Sequence, residues 1–209
     1  MVSLPPVTLP AAWAAQPHCQ ACELALTRAA VIPPGGPPGA NLVLVSDIPE
    51  PADLRTGQLF SGTGGRRLAK LLATQGIDLA HCGRVSCCAC PSQEHRRPQV
   101  PEVRACAYWL EKALQDYFAP TVIVTVGRIA TEYFYGGARF QPLIAAANAH
   151  QHRLPDGARD GVRVVPMPAL GSIRQRAPDG QSWHAVAERQ VALIAGYLPP
   201  PRSVVGLPA

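Results

Sequence analysis

The sequence predicts a single α/β domain whose mostly parallel sheet is covered by helices on both faces. Three observations predict it. The runs "NLVLV" at 41–45, "TVIVTVG" at 121–127 and "GVRVVPMP" at 161–168 are short, β-branched and almost continuously apolar, as strands buried on both faces must be. Between and after them lie segments with apolar residues at helical spacing. Strands of this kind alternating with helices belong to parallel sheets, and 209 residues are enough for one such domain with a sizeable core.

In chain order, prolines mark the ends ("LPPVTLP" and "LPPPRSVVGLP") as extended tails over 1–15 and 199–209, and "VIPPGGPPG" as a loop. The first strand runs into "SDIPEPADLRTGQLFSG", a turn carrying Asp47, Asp53 and Phe60. That turn occupies the carboxyl end of a strand, where parallel sheets bind their ligands. "GGRRLAKLLATQG" follows as a helix. "PEVRACAYWLEKALQDYF" is a second, with Val103, Cys106, Ala107, Leu110 and Leu114 on one face. "GRIATEYFYG" turns from strand into helix, and "DGQSWHAVAERQVALIAGYL" is a closing amphipathic helix with Ser182 as N-cap. No internal repeat is visible.

A formal charge of +5 suits an anionic partner. No apolar run approaches membrane-spanning length and the N-terminus lacks a secretory signal, so a soluble, cytoplasmic monomer is expected. Seven cysteines in a reducing compartment point to metal or redox chemistry rather than disulfides. Cys19 and Cys22 form C-x2-C, a spacing shared by zinc sites and thioredoxin-like motifs. A distant pair, Cys90 and Cys106, completes four ligands for an iron–sulfur cluster or a zinc ion, with Cys88 competing for the third position. Cys82 and Cys87 read as small buried residues.

With those motifs the chain resembles the family 4 uracil-DNA glycosylases, iron–sulfur members of the uracil-DNA glycosylase superfamily. The resemblance is carried by the C-x2-C pair, the fifteen-residue spacing from Cys90 to Cys106 with "RRP" between them, "GQLFSGTGGRRLAKLL" and "TVIVTVGRIAT". It implies a three-layer α/β/α domain with a central four-stranded sheet, a 4Fe-4S cluster on Cys19, Cys22, Cys90 and Cys106, and DNA as partner. It also implies that Asp47 and Asp53 stand near sugar C1′, that Phe60 stacks on an extruded base, and that Ile48 offers a backbone N–H beside it. Without the resemblance, Asp47 reads as a turn cap, Asp53 as a solvated acid and Phe60 as core.

The departures from the family pattern fall on the chemistry. Ser86 stands where the family has its base-reading asparagine, and Met167 where it has the histidine that stabilises the departing base; "SDIPE" replaces G-E-A-P-G. A thioether donates no hydrogen bond, and one hydroxyl does not reproduce an amide. Altered base specificity is therefore expected, with a non-catalytic DNA- or partner-binding homologue as the alternative. His150 and His152 are candidate substitutes for the missing histidine, against a reading as solvated loop residues. Arg66, Arg67, Lys70, Arg96, Arg97, Arg174 and Arg176 are the expected phosphate contacts, and Leu170 or Ile173 the expected wedge entering the duplex.

Overall fold

The computed structural model of the protein describes residues 13, 15–137, 161–172, 175–176, 180 and 182–198. His150, His152, Ile173 and Arg174 lie outside the described residues.

Among the described residues four strands form one sheet: β1 (Leu42–Ser46), β2 (Gly83–Ser86), β3 (Val122–Val126) and β4 (Arg163–Met167), in the order β2-β1-β3-β4. Every pairing among the described residues is parallel, in line with the expected parallel sheet. The helices are α1 (Leu24–Thr27), α2 (Pro51–Thr56), α3 (Thr63–Ala73), α4 (Val100–Lys112), α5 (Arg128–Phe134) and α6 (Trp183–Tyr197). A π-turn at Ala113–Tyr117 extends α4. Ser182 caps α6 as the sequence predicts, its Oγ accepting the Ala185 N–H at 3.1 Å.

Alternation along the strands divides the core in two. Val43, Val45, Val85, Ile123 and Val164 pack with Leu110, Leu114, Phe118 and Phe134 on the face of α4 and α5. Leu42, Leu44, Val122, Val124 and Val165 pack with Leu68, Leu72, Val191 and Ile194 on the face of α3 and α6. Both faces of every central strand are thus apolar, the physical content of the near-continuous runs read from the sequence.

Strand β2 is the element whose local pattern is silent, because "GRVS" has one β-branched residue in four. Its edge is covered by the proline-rich loop: Gly35 N–H donates to Arg84 O at 2.8 Å and Arg84 N–H to Gly35 O at 2.7 Å. Pairing of this kind removes an open sheet edge. Gly36 sits at φ +104°, where a Cβ would come within 2.2 Å of the Cys82 carbonyl oxygen, so the loop approaches β2 only with glycine there. The amino-terminal segment also differs from expectation. Trp13, assigned to the tail, is 2% exposed and packs against Trp109 and Tyr117 at 6.0 and 6.5 Å between ring centroids. Burial of a large indole ties that segment to the domain.

Candidate active site

A cavity of about 590 Å³, solvent at its mouth included, opens at the carboxyl ends of β1 and β3. Its wall holds Asp47, Ile48, Asp53, Phe60 and Leu170 among the sequence-predicted residues, together with Glu50. Parallel sheets place ligands here because strand ends release loops and helix starts toward one crevice.

Asp47 follows β1 directly and reaches across to α5, where its Oδ1 accepts the Ala130 N–H at 2.8 Å. It therefore caps the helix that follows β3 as well as lining the cavity. Burial pushes its carboxyl above the ordinary value; the Ala130 and Ile129 N–H groups and the charges of Arg97 and Arg128 offset part of the rise. The close approach depends on Gly127, at φ +115°, where a Cβ would stand 2.6 Å from Asp47 Oδ2. Gly127→Ala should cost about 2–4 kcal/mol, from the left-handed backbone and the clash together. Denaturant unfolding measures it; a change below 1 kcal/mol, on the order of an exposed substitution, would mean that Asp47 is not held where the structure has it.

Asp53 is not solvated. It is 3% exposed, and its carboxylate ties the loop together. Oδ2 accepts the Glu50 N–H at 2.9 Å, and Oδ1 accepts both the N–H and the hydroxyl of Ser61 at 2.9 Å. Glu50 in turn accepts the Asp53 N–H, completing a capping box at the start of α2. The Asp53 knot holds the loop bearing Phe60, whose φ of +61° is one of two positive values among described non-glycine residues. A bulky residue held at positive φ is strained, and such strain concentrates at binding sites. Gly65 permits it: a Cβ there would fall 1.7 Å from the Phe60 carbonyl oxygen.

Several assignments change. Met167 does not line the cavity. It is fully buried in the core beside Phe60, Val126 and Leu170, and Ala169, two residues on, forms the wall instead. Ser86 is also buried rather than in the wall; its strand partner Ser46 lines the cavity. Leu170 is 5% exposed and lies where a Cβ on Gly64 would come within 2.6 Å, so it packs on α3 rather than protruding as a wedge. Arg96 is committed to Glu102, with Nη1 to Oε2 at 2.9 Å and Nη2 to Oε1 at 2.5 Å. Its guanidinium holds the Glu102 carboxyl below the usual range and braces the loop before α4. Arg176 donates to the Gly180 carbonyl at 2.8 Å. Arg66, Lys70 and Arg97 are exposed and Arg67 half-buried; Arg66 bonds Ser61 O and Thr63 Oγ1. Glu50 was missed: the "SDIPEPAD" spacing of Glu50 and Asp53 at N-cap and N3 carried the signal.

Cys22, Cys87, Cys88, Cys90 and Cys106 belong to the core on the α4 face of the sheet, and Cys82 to the other face. Cys90 lies within electrostatic reach of Cys106, Cys22 and Cys19, and Cys22 of Cys106. Cys88 instead faces Cys106, Cys87 and Glu102. Arg28 clamps the C-x2-C loop through Cys19 O at 2.7 Å and Pro17 O at 2.8 Å. Cys106 Sγ accepts the Ala89 N–H at 3.4 Å, and the Cys88 thiol beside it lowers the Cys106 pKa while its own rises. Burial pushes the Cys82 thiol up to about 12, that of an inert core residue. Among the described residues no three ligand-type side chains converge tightly enough to hold one metal ion.

A family model described as the uracil DNA glycosylase superfamily matches residues 33–194, from the loop before β1 into α6. The chain belongs to the uracil DNA glycosylase superfamily. Three curated relatives carry the name Type-4 uracil-DNA glycosylase. That of Thermotoga maritima is 32% identical over 124 residues, 58% of this chain and 62% of that protein. That of Archaeoglobus fulgidus is 28% identical over 117 residues, 56% of this chain and 58% of that one. That of Sulfurisphaera tokodaii is 27% identical over 118 residues, 56% of this chain and 53% of that one. The chain thus aligns with little more than half the length of these relatives. Within the superfamily chain, the matched span contains the cavity, Cys90 and Cys106, and leaves Cys19 and Cys22 outside it.

Proposed function

We propose that this protein is a DNA glycosylase of base excision repair whose base specificity differs from that of an ordinary uracil enzyme. The observation that carries the reading is one cavity holding Asp47, Asp53 and a strained Phe60 at the end of β1. Breaking the bond between sugar C1′ and a base leaves positive charge on the sugar, which a buried carboxylate stabilises. Asp47 suits that role, since it lines the cavity while it caps α5. Asp53 is spent on Glu50 and Ser61, so it acts as the positioning residue of the Phe60 loop. Phe60 stacks on the extruded base, which an enzyme must take from the duplex to act on it. Ser86 and Met167 shape the site from behind its wall. Abasic-site formation on oligonucleotides carrying different modified bases tests the reading, and no abasic site on any of them would sink it.

The same capping duties of Asp47 and Asp53 favour a second reading, in which the carboxylates are retained for the fold alone and the protein only binds DNA. Under it, salt-dependent binding persists without base release.

Phosphate contacts fall to Arg66, Arg67, Lys70 and Arg97. Replacing Arg66 and Lys70 together by alanine should lower the slope of log affinity against log salt by about 2, whereas Arg96→Ala should leave the slope alone and reduce stability. A titration across salt concentrations gives both results; a flatter slope for Arg96→Ala would return that residue to the DNA interface.

A 4Fe-4S cluster on Cys19, Cys22, Cys90 and Cys106 fits the cysteines. The Cys90 thiol feels the charges of Cys106, Cys22 and Cys19, which supports Cys90 over Cys88 as the third ligand. A single zinc draws its thiolates to about 2.3 Å from one point; a cluster accepts a wider set. Bound there, it pins the segment before β1 to α4 and holds the turn after β2, whose Cys87 and Cys88 N–H groups donate to Ser46 O at 2.8 Å and Asp47 O at 3.2 Å.

A further inference from the structure

Three carboxylates border the cavity: Asp47 after β1, Glu50 at the N-cap of α2 and Asp53 in its first turn. Glu50 occupies the position of the second glycine in the G-E-A-P-G of the resembled family. It is oriented, not free: it accepts the Asp53 N–H while Asp53 accepts its own N–H at 2.9 Å. No lysine, arginine, histidine or amide side chain lines the cavity among the described residues. Arg97 and Arg128 act on Asp47 from outside the wall.

Two buried hydroxyls stand at this end of the sheet, one on a wall residue and one behind the wall. The Oγ atoms of Ser46, a wall residue, and of Ser86 on β2 are buried without a hydrogen-bond partner among the described residues, and Ser86 is 3% exposed. The two residues are register partners in parallel strands, so their side chains point to the same face of the sheet end. A hydroxyl can accept from an exocyclic amino group and donate to a ring nitrogen or carbonyl.

Resting on the glycosylase reading, we propose that the base accepted by this cavity is a positively charged alkylated purine, such as N7-methylguanine or N3-methyladenine. The chemistry of departure separates it from uracil. When the bond from C1′ to neutral uracil breaks, the electron pair leaves on the base as an anion, which needs a donor close by. Glu50 adds a negative charge to the two acids the resemblance already places there and so disfavours that anion, and Met167, buried behind the wall, offers it nothing. When the corresponding bond of an alkylated purine breaks, the pair neutralises a charge that the ring already carries. Water bonds to C1′ through oxygen, and its proton passes to Asp47 and on to solvent. The products are the abasic sugar, the neutral alkylated base and one proton. Carboxylates at the rim and the face of Phe60 select a cationic ring from neutral ones, the aromatic by its negative π-face.

The test uses the full-length protein and two duplexes differing in one residue, uracil or N7-methyl-2′-deoxyguanosine. Released base is quantified by chromatography against the protein-free rate. The expected result is release of methylated guanine about tenfold or more faster than uracil, with Glu50→Gln shifting the ratio about tenfold toward uracil. Glutamine retains an oxygen for the Asp53 N–H, and the ratio in the unsubstituted protein decides the question where the variant folds poorly. Uracil released without methylated guanine overturns this proposal and leaves the glycosylase reading standing. Neither base released, with no other modified base released either, overturns both. An unaltered ratio in a folded Glu50→Gln protein also overturns the proposal, because charge at the rim would then play no part.

Discussion

Asn in place of Asp47 should lower base release by about two to three orders of magnitude and leave the folded protein nearly as stable as before. The two effects separate because the side chain has two duties. Its Oδ1 accepts the Ala130 N–H at 2.8 Å, and an asparagine oxygen can do the same. Its negative charge, facing the cavity, has no counterpart in asparagine. Asp47→Ala should remove both, adding about 1 kcal/mol of lost helix cap. The pH dependence follows from burial, which raises the folded-state carboxyl above its ordinary value. Ionisation is then harder in the folded protein than in the unfolded chain. Stability from this group is fully present below the unfolded pKa and falls as pH rises from there through the folded one. Activity runs the other way, appearing as the carboxylate forms, with its acid limb displaced above the usual aspartate range. A pH–rate profile whose acid limb is unchanged in Asp47→Asn would show that another group carries the charge.

Cys106→Ser should remove the visible absorption of anaerobically purified protein and cost several kcal/mol, comparable with the whole stability of a domain. The residue sits on α4 at the junction of the cysteine neighbourhood: Cys22 and Cys90 feel its charge, and it takes the Ala89 N–H from the turn after β2. Losing it frees both the segment before β1 and the turn whose backbone donates to Asp47 O. On the proposed cluster assignment, metal-linked folding energy is lost together with the ligand. Cys82→Ser is the contrast. Cys82 is 2% exposed among apolar side chains on the other face of the sheet, so serine there should leave colour and iron content intact. Iron analysis, the absorption spectrum and the thermal midpoint measure all three effects. A colourless parent protein carrying one zinc would overturn the cluster assignment.

The same contrast shows how far local sequence reaches. Strands β1, β3 and β4 were legible because burial on both faces leaves nearly unbroken β-branched runs. Strand β2 was not, because its stability comes from pairing with β1 and from Gly35 covering its edge, neither of which is a local property. The Ser182 cap was legible from the residue type alone. The Glu50–Asp53 capping box was written in the spacing, but Glu50 went unread and Asp53 was read as an acid near C1′ or, without the resemblance, a solvated one.

What the sequence determined by itself was the alternation of buried strands with helices, the spacing of ligand-type cysteines along the chain, and an acid-rich turn at a strand end. These depend on residue type and on spacing along the chain, which periodicity exposes directly. What only the tertiary structure decided was the duty of each side chain. Asp47 spans to α5, Arg96 is neutralised by Glu102, Met167 and Leu170 turn into the core, and Glu50 joins the cavity. A side chain's charge and hydrogen-bonding capacity are properties of its type. Whether they are spent internally or left for a ligand depends on which distant elements are packed within about 3 Å of it, the reach of a hydrogen bond.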